Sequence, residues 1–433
     1  MAPFGFTPDE GGDEGNRENL EAMMRQMQEQ IKQQFEQLGI NGFGNNGFGF
    51  NNPATESLPL APVRDTSKKF VAANGSQPLG TNDVTAINNA CEIADIWLNE
   101  ATDFPATSSA ATRAVSRLDW IDETLPGWKA TMEPLATGLS AAISTLLDEA
   151  INASGSEYEE QMAAAPIGAI AGLLRTFIGS MIATQLGQAV GAIATSATGA
   201  HDVALPILEP ARSLLIPENI DAWGADTEIP KSEVYLFHAL REGAVARLFH
   251  HNPWIVSYIR SAIVAYGAGI RIDLEAIQRQ AEDAMQGMSE NGEQSFTFSL
   301  DSGMFTPEET PSQREALSKL ETVLALVDGW ADDVATLAAG DRIPSITALR
   351  ELQRRKRATS APSQQLFKTM LGLEVSPKLS REASAFWSRV RELKGTSARD
   401  QIWSGILPSA TELLAPDLFL ASTEIPDDLS GLL

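Results

Sequence analysis

Three of the four histidines in the chain fall within the 21-residue stretch 234–254, VYLFHALREGAVARLFHHNPW. Apolar residues recur there every three or four positions and no proline interrupts before Pro253, which predicts one helix of about 17 residues. His238 and Glu242 lie one turn apart on such a helix, so their side chains share a face. An imidazole and a carboxylate at this spacing either bind a metal ion together or make an ordinary side-chain contact.

Four separated segments carry a family resemblance. They are Gln185–Ile207, LREGAVARLFHHNPW (240–254), MFTPEET (304–310) and LALVDGWADDV (324–334). In this order they resemble the actinobacterial zincin-like family of zinc-dependent metallopeptidases and hydrolases. The resemblance covers the chain from about residue 101 onward. It implies a mainly α fold, in which a zincin-like metallopeptidase helical domain follows a flexible N-terminal region.

The resemblance also assigns roles to residues. In zincins a helix carries His-Glu-x-x-His, whose histidines bind zinc and whose glutamate polarises the bound water as general base. Aligned on Glu242, this chain has Arg241 and Val245 at the two histidine positions. The third ligand of the family is a glutamate on a later helix, and Asp328 occupies its place. Glu242 is therefore the general-base position, and the three ligand positions are all altered.

These alterations favour a protein without zinc chemistry. Changing a residue that only supports a metal ligand costs about 10- to 100-fold in metal affinity or activity, and losing two ligands costs more. Arg241 also places a fixed positive charge where the ion would lie. We therefore expect no cofactor and a non-catalytic binding or scaffolding role with a protein or peptide partner. The sequence identifies neither that partner nor an oligomeric state.

The alternative is an active zinc-dependent metallopeptidase or hydrolase with Glu242 as general base. Its zinc would then need a non-standard set of ligands. The candidates are His238, His250, His251 and Asp328.

One basic cluster stands out in an acidic chain. It comprises Arg350, Arg354, Arg355, Lys356 and Arg357, near the end of a helix predicted to begin at about Ser345. The cluster either complements the helix dipole and pairs with acidic neighbours, or it binds an anion such as phosphate through its last four residues. No glycine-rich phosphate loop accompanies it.

Charge and cysteine content narrow the class of protein. The chain has 32 basic and 57 acidic residues, a net charge of −25. Long-range electrostatics therefore oppose binding to nucleic acids or anionic membranes. Cys91 is the single cysteine, so no internal disulfide forms. Together with an N-terminus that lacks the pattern of a secretory signal, this predicts a cytoplasmic protein.

The chain is expected to divide at residue 81. Region 1–81 contains a predicted amphipathic helix, Asn19–Leu38, and a flexible linker rich in Gly, Asn and Pro. Region 82–433 is the helical zincin-like domain, with its central motif helix at 233–250.

Two further helical segments bear on the core. Thr310 and Pro311 provide a cap and a first-turn proline for a second motif helix, 311–338. In the family picture this helix packs against the central one and presents Asp328 towards Glu242. The apolar stretch 162–200 contains many small residues but is interrupted by Arg175, which favours a buried helical hairpin over a membrane span.

Overall fold

The computed structural model describes residues 58–107, 113–153, 167–269, 310–371 and 379–423. Within these ranges the chain is mainly α-helical, as predicted. Their β structure is limited to two isolated bridges, and no strand is formed there. The helices are α1 Leu60–Asn74, α2 Thr81–Ala101, α3 Arg117–Ala153, α4 Ile167–Ala194, α5 Pro217–Gly224, α6 Lys231–His251, α7 Pro253–Ala268, α8 Pro311–Ala339, α9 Ile346–Ser360, α10 Pro362–Leu371, α11 Ser380–Gln401 and α12 Pro416–Thr423. The predicted helix at 19–38 and the linker up to residue 57 lie outside the described residues.

Helix α1 lies inside the segment that the sequence assigned to linker. It buries Val63, Ser67 and Val71, which are spaced four residues apart and form one face. This face packs against α4, where the Ser67 hydroxyl donates to the backbone carbonyl of Gly187 at 2.9 Å. Ordered helical structure therefore begins well before the boundary proposed at residue 81.

Many small residues of the apolar stretch lie on helix α4, where glycine permits close helix packing. It is one continuous helix, so the predicted hairpin at 162–200 is wrong. A Cβ atom at Gly187 would lie 2.6 Å from Thr66 Cβ, which means that only glycine lets α1 approach so closely here. None of the helices in the described ranges combines the length and apolarity that a membrane span requires.

Helix α6 is the most enclosed element. It packs against α2 and α8, and nearly every residue from Val234 to Phe249 is buried. Because all of its faces meet other elements, it also buries polar side chains, among them Arg241, Glu242 and Arg247. These groups need partners inside the protein, since a buried unpaired charge is costly.

Helix α8 brings the second motif alongside the first. Its N-terminus is fixed by a capping box in which Thr310 accepts from Gln313 N and Gln313 accepts from Thr310 N. It packs against both α6 and α11. Its observed bounds, Pro311–Ala339, compare with 311–338 from the sequence.

The connection between α4 and α5 folds back on itself over α6. Ala200 N donates to Leu214 O at 2.9 Å, and Leu215 N donates to Arg113 O at 2.8 Å. The first of these bonds, together with the one from Ile216 N to Thr198 O at 2.9 Å, holds residues 198–200 beside 214–216. The fold thereby presents several backbone N–H groups of this connection to the central helix.

Candidate functional site

The two motif helices and the 195–216 connection enclose a small cavity, called here the motif cavity. Its volume is about 20 Å³, roughly the space that one water molecule needs. The lining residues include Thr198, His201, Asp202, His238, Arg241, Glu242, Val245, Asp328 and Arg357. The fold thus brings together all four motif positions that the resemblance singled out, Arg241, Glu242, Val245 and Asp328.

Glu242 is buried and accepts four hydrogen bonds. Its Oε1 accepts from Ala200 N at 3.2 Å and from Leu214 N at 3.1 Å, and it lies 2.8 Å from His201 Nδ1. Its Oε2 accepts from His201 N at 3.0 Å. A Cβ atom at position 199 would lie 2.3 Å from Oε2, so Gly199 is required for this approach. Glu242 therefore fastens the connection to α6.

Arg241 makes ion pairs with two aspartates of α8. Its Nη2 donates to Asp328 Oδ1 in a short hydrogen bond, and its Nη1 lies 3.4 Å from Asp332 Oδ1. All three side chains are about nine-tenths buried. Arg241, at the position of the first family histidine, thus forms a salt bridge with Asp328, at the position of the third ligand.

Arg357 of α9 also bonds Asp328. Its Nη1 donates to Asp328 Oδ1 at 2.5 Å, and its Nη2 donates to Asp202 Oδ1 at 2.8 Å. Burial alone would raise the pKa of Asp202, but the charge of Arg357 and the hydrogen bond from Thr198 N outweigh it and lower that pKa. Asp328 is therefore held by two guanidinium groups.

Asp332 is held just as firmly. Burial would raise its pKa, yet the hydrogen bond from Arg350 and the charge of Arg241 lower the pKa to about 2. Arg350 donates to both carboxylate oxygens, at 3.2 and 2.7 Å, and Ser384 Oγ of α11 donates to Oδ2 at 2.7 Å. This network ties α8 to α9 and α11.

The alternative histidine ligands do not gather around one point. His238 is buried edge-on against Trp223, with ring centroids 4.6 Å apart, and burial lowers its pKa to about 3, so its ring is neutral. His250 and His251 are exposed at the end of α6 and do not line the motif cavity. The His251 ring nitrogen Nε2 lies 3.0 Å from Pro105 O.

The four candidate anion-binding residues make different contacts. Arg357 is largely buried, whereas the Arg354 side chain is 43% exposed and its Nη2 donates to Asp332 Oδ2 at 3.3 Å. Arg355 is exposed and pairs with Glu351 one turn away. Lys356 donates to Trp223 O at 2.7 Å. Pairing with acidic neighbours, one of the two interpretations of this cluster, therefore describes most of its contacts.

A family model for zincin-like metallopeptidases matches residues 61–420. The chain belongs to the zincin-like metallopeptidase family. A solved structure from Chloroflexus aurantiacus, provisionally described as a hydrolase with a novel fold, is similar in fold with a TM-score of 0.57. It is 14% identical in sequence, and the alignment covers 85% of this chain and 100% of that one. Among curated proteins, none matches this zincin-like chain in sequence.

Zincin-like metallopeptidases hold zinc with a small set of histidine and carboxylate groups. Within the described ranges, no three side chains of His, Cys, Asp or Glu are grouped so that they could hold a metal ion. Two buried imidazole nitrogens beside the motif cavity, His201 Nε2 and His238 Nε2, have no hydrogen-bond partner there.

The sequence interpretation gave no role to His201 or Asp202, although both lie at the site of this zincin-like protein. Glu242 binds His201, 41 residues away, whereas a contact with His238 was the expectation. Both missed residues fall within the Gln185–Ile207 segment that carried the family resemblance. That segment was the available signal, since no local pattern marks either residue.

Proposed function

We propose that this zincin-like protein has lost zinc-dependent hydrolysis and retains a binding or scaffolding role for its cleft. The observation that carries the proposal is the ion pair of Arg241 with Asp328. The Arg241 guanidinium places a positive charge at the motif, and the carboxylate of Asp328 is already paired with that charge. A zinc ion would have to displace a buried salt bridge and then lie beside two arginines.

The remaining donors support the proposal. Val245, at the second histidine position, is buried and offers no ligand atom. Glu242 is engaged by three backbone N–H groups and His201, so neither carboxylate oxygen is left to polarise a metal-bound water. A general base must reach the proton that it removes, at about 2.6–3.2 Å. The donor set at the motif therefore does not fit a catalytic zinc ion.

A metal-dependent hydrolase remains the second candidate, because two buried imidazole nitrogens beside the motif cavity lack partners. His238 would serve as one ligand, and Glu242 would have to leave its hydrogen bonds to act as base. This function predicts that zinc stabilises the unmodified protein through His238.

Other features of the proposed role rest on the sequence. We propose a protein or peptide partner, because the acidic chain disfavours nucleic acid. A cytoplasmic location accords with the single buried cysteine, Cys91. The division into regions 1–81 and 82–433 is also a proposal, with α1 a reason to place the boundary nearer residue 58.

The test is to restore the two lost ligands. The double substitution Arg241→His and Val245→His is compared with the unmodified protein and with Arg241→Gln plus Val245→Ala. The second pair removes the same side chains without adding imidazoles, so it separates loss of the arginine from gain of ligands. Zinc binding is measured by isothermal titration calorimetry, with circular dichroism to confirm folding.

We expect only the histidine variant to bind about one zinc per chain, because it regains two imidazole ligands near Asp328. Tight zinc binding by the unmodified protein would overturn the proposal. Zinc binding by the Gln/Ala control would show that the arginine alone blocks the ion and that the other ligands are already present.

A further inference from the structure

A second, larger cavity lies on the α9 and α11 side of Arg241. It has a volume of about 240 Å³. A dry cavity of about 150 Å³ holds benzene, so this one has room for a molecule on the order of ten non-hydrogen atoms. The size sets it apart from the motif cavity, although Arg241, Asp328 and Arg357 line both.

The lining of the larger cavity carries an excess of positive charge. Among the described residues, five arginines line it: Arg241, Arg350, Arg354, Arg357 and Arg381. Its acidic lining residues are Asp328, Asp332 and Glu382. Asp202, just outside the lining, pairs with Arg357, so one positive charge is unmatched in a concave site, within a chain whose net charge is −25. A local excess of this sign attracts an anion.

Several of these donors are unused. Arg354 makes one long hydrogen bond, from Nη2 to Asp332, which leaves its Nε and Nη1 without an acceptor among the described residues. Arg381 has no hydrogen-bond or ion-pair partner in the described ranges. The Arg381 guanidinium on α11, unpaired within those ranges, and the partly unpaired one of Arg354 on α9 match the paired oxygens of a carboxylate or phosphate group.

The start of α11 adds backbone donors to the same place. Ser380, Arg381 and Glu382 line the cavity, and Leu379 before them provides no side-chain cap. The first backbone hydrogen bond of the helix is from Ala383 N to Leu379 O. The preceding N–H groups lack acceptors inside the helix, and together with the helix dipole they favour negative charge.

We propose that this cavity binds a small oxyanion, either a phosphoryl group or a polycarboxylate. The inference rests on the proposed binding role, for which it names the ligand class. Arg354 and Arg381 contact the anion directly, and the N-terminal amides of α11 complete its coordination. Asp332, fixed by Arg350 and Ser384, holds the Arg354 side chain in place.

The experiment is isothermal titration calorimetry of the full chain with inorganic phosphate and, separately, with citrate. Chloride keeps the ionic strength constant. The variants are Arg354→Gln and Arg381→Gln, and the matched control is Arg355→Gln. Arg355 lies on the same helix as Arg354 but pairs with Glu351 at the surface, outside the cavity. Circular dichroism confirms that each variant is folded.

We expect saturable binding of at least one anion. Loss of a charge-assisted hydrogen bond should weaken it about 10-fold or more for each cavity variant, and the control should stay within about 2-fold. Stronger binding of phosphate identifies a phosphoryl ligand, and stronger binding of citrate a polycarboxylate. Added salt should weaken either one.

The inference is overturned if neither anion binds saturably, or if Arg355→Gln weakens binding as much as the cavity variants do. Either result leaves the proposed loss of zinc chemistry untouched, because zinc titration tests that claim separately. Conversely, zinc binding by the unmodified protein would overturn the proposed function whatever the anions do.

Discussion

Substituting Glu242 with glutamine tests whether this carboxylate is a structural anchor. Glutamine has nearly the same shape but presents one carbonyl oxygen and one N–H₂ group. With the oxygen at the Oε1 position, three hydrogen bonds persist without their charge. The N–H₂ group then faces His201 N, which donates to Oε2 in the native protein. The reversed orientation is worse, because it sets N–H₂ against three donors.

The size of the effect follows from these contacts. A hydrogen bond to a charged group contributes about 1.5–3 kcal/mol against about 1 kcal/mol for a neutral one, and a buried unsatisfied donor costs about 1–3 kcal/mol. Three weakened bonds and one donor facing another donor together give a loss of about 4 kcal/mol in the free energy of unfolding. Most substitutions cost less than this.

Urea unfolding at neutral pH, followed by tryptophan fluorescence, measures the loss. The matched control is Glu351→Gln, which removes an exposed carboxylate paired with Arg355 and should leave stability unchanged. If Glu242→Gln is as stable as the control, the carboxylate does not anchor the 195–216 connection. Increased stability would indicate a strained carboxylate of the kind found in active sites.

Two further predictions concern buried groups. The unfolded chain binds a proton at His238 near pH 6.5, whereas the folded protein does so only near pH 3. The free energy of unfolding should therefore fall by about 1.4 kcal/mol per pH unit on acidification between these values. In urea titrations His238→Asn should flatten this slope, and His250→Asn, at an exposed position, should not. Arg399→Met should lower the free energy of unfolding, measured by calorimetry, by about 3–5 kcal/mol, because Arg399 is fully buried and pairs with Asp333 at 2.9 Å. The control Arg389→Met, at the surface, should have no measurable effect.

Local signals predicted the motif helices well. Pro253 ends α6 and begins α7 in the structure, as its position suggested. Thr310 and Pro311 begin α8 with the expected cap. Signals of this kind act within one or two turns, so the sequence exposes them directly.

Features that depend on distant parts of the chain were harder to predict. Helix α1 has a weak pattern of its own, and its burial depends on the glycine surface of α4, more than 100 residues later. The bond between His201 and Glu242 requires the connection after α4 to fold back, which no short pattern reveals. Only the family resemblance indicated that Arg241 and Asp328 lie at one site, and it did not predict their salt bridge.

The most direct test of the central claim is diffraction from crystals grown with zinc, measured at the zinc absorption edge. The account predicts no anomalous peak at the motif cavity and a guanidinium of Arg241 bonded to Asp328. An anomalous peak about 2.0–2.1 Å from a His238 or His201 nitrogen, with Arg241 turned away, would contradict it.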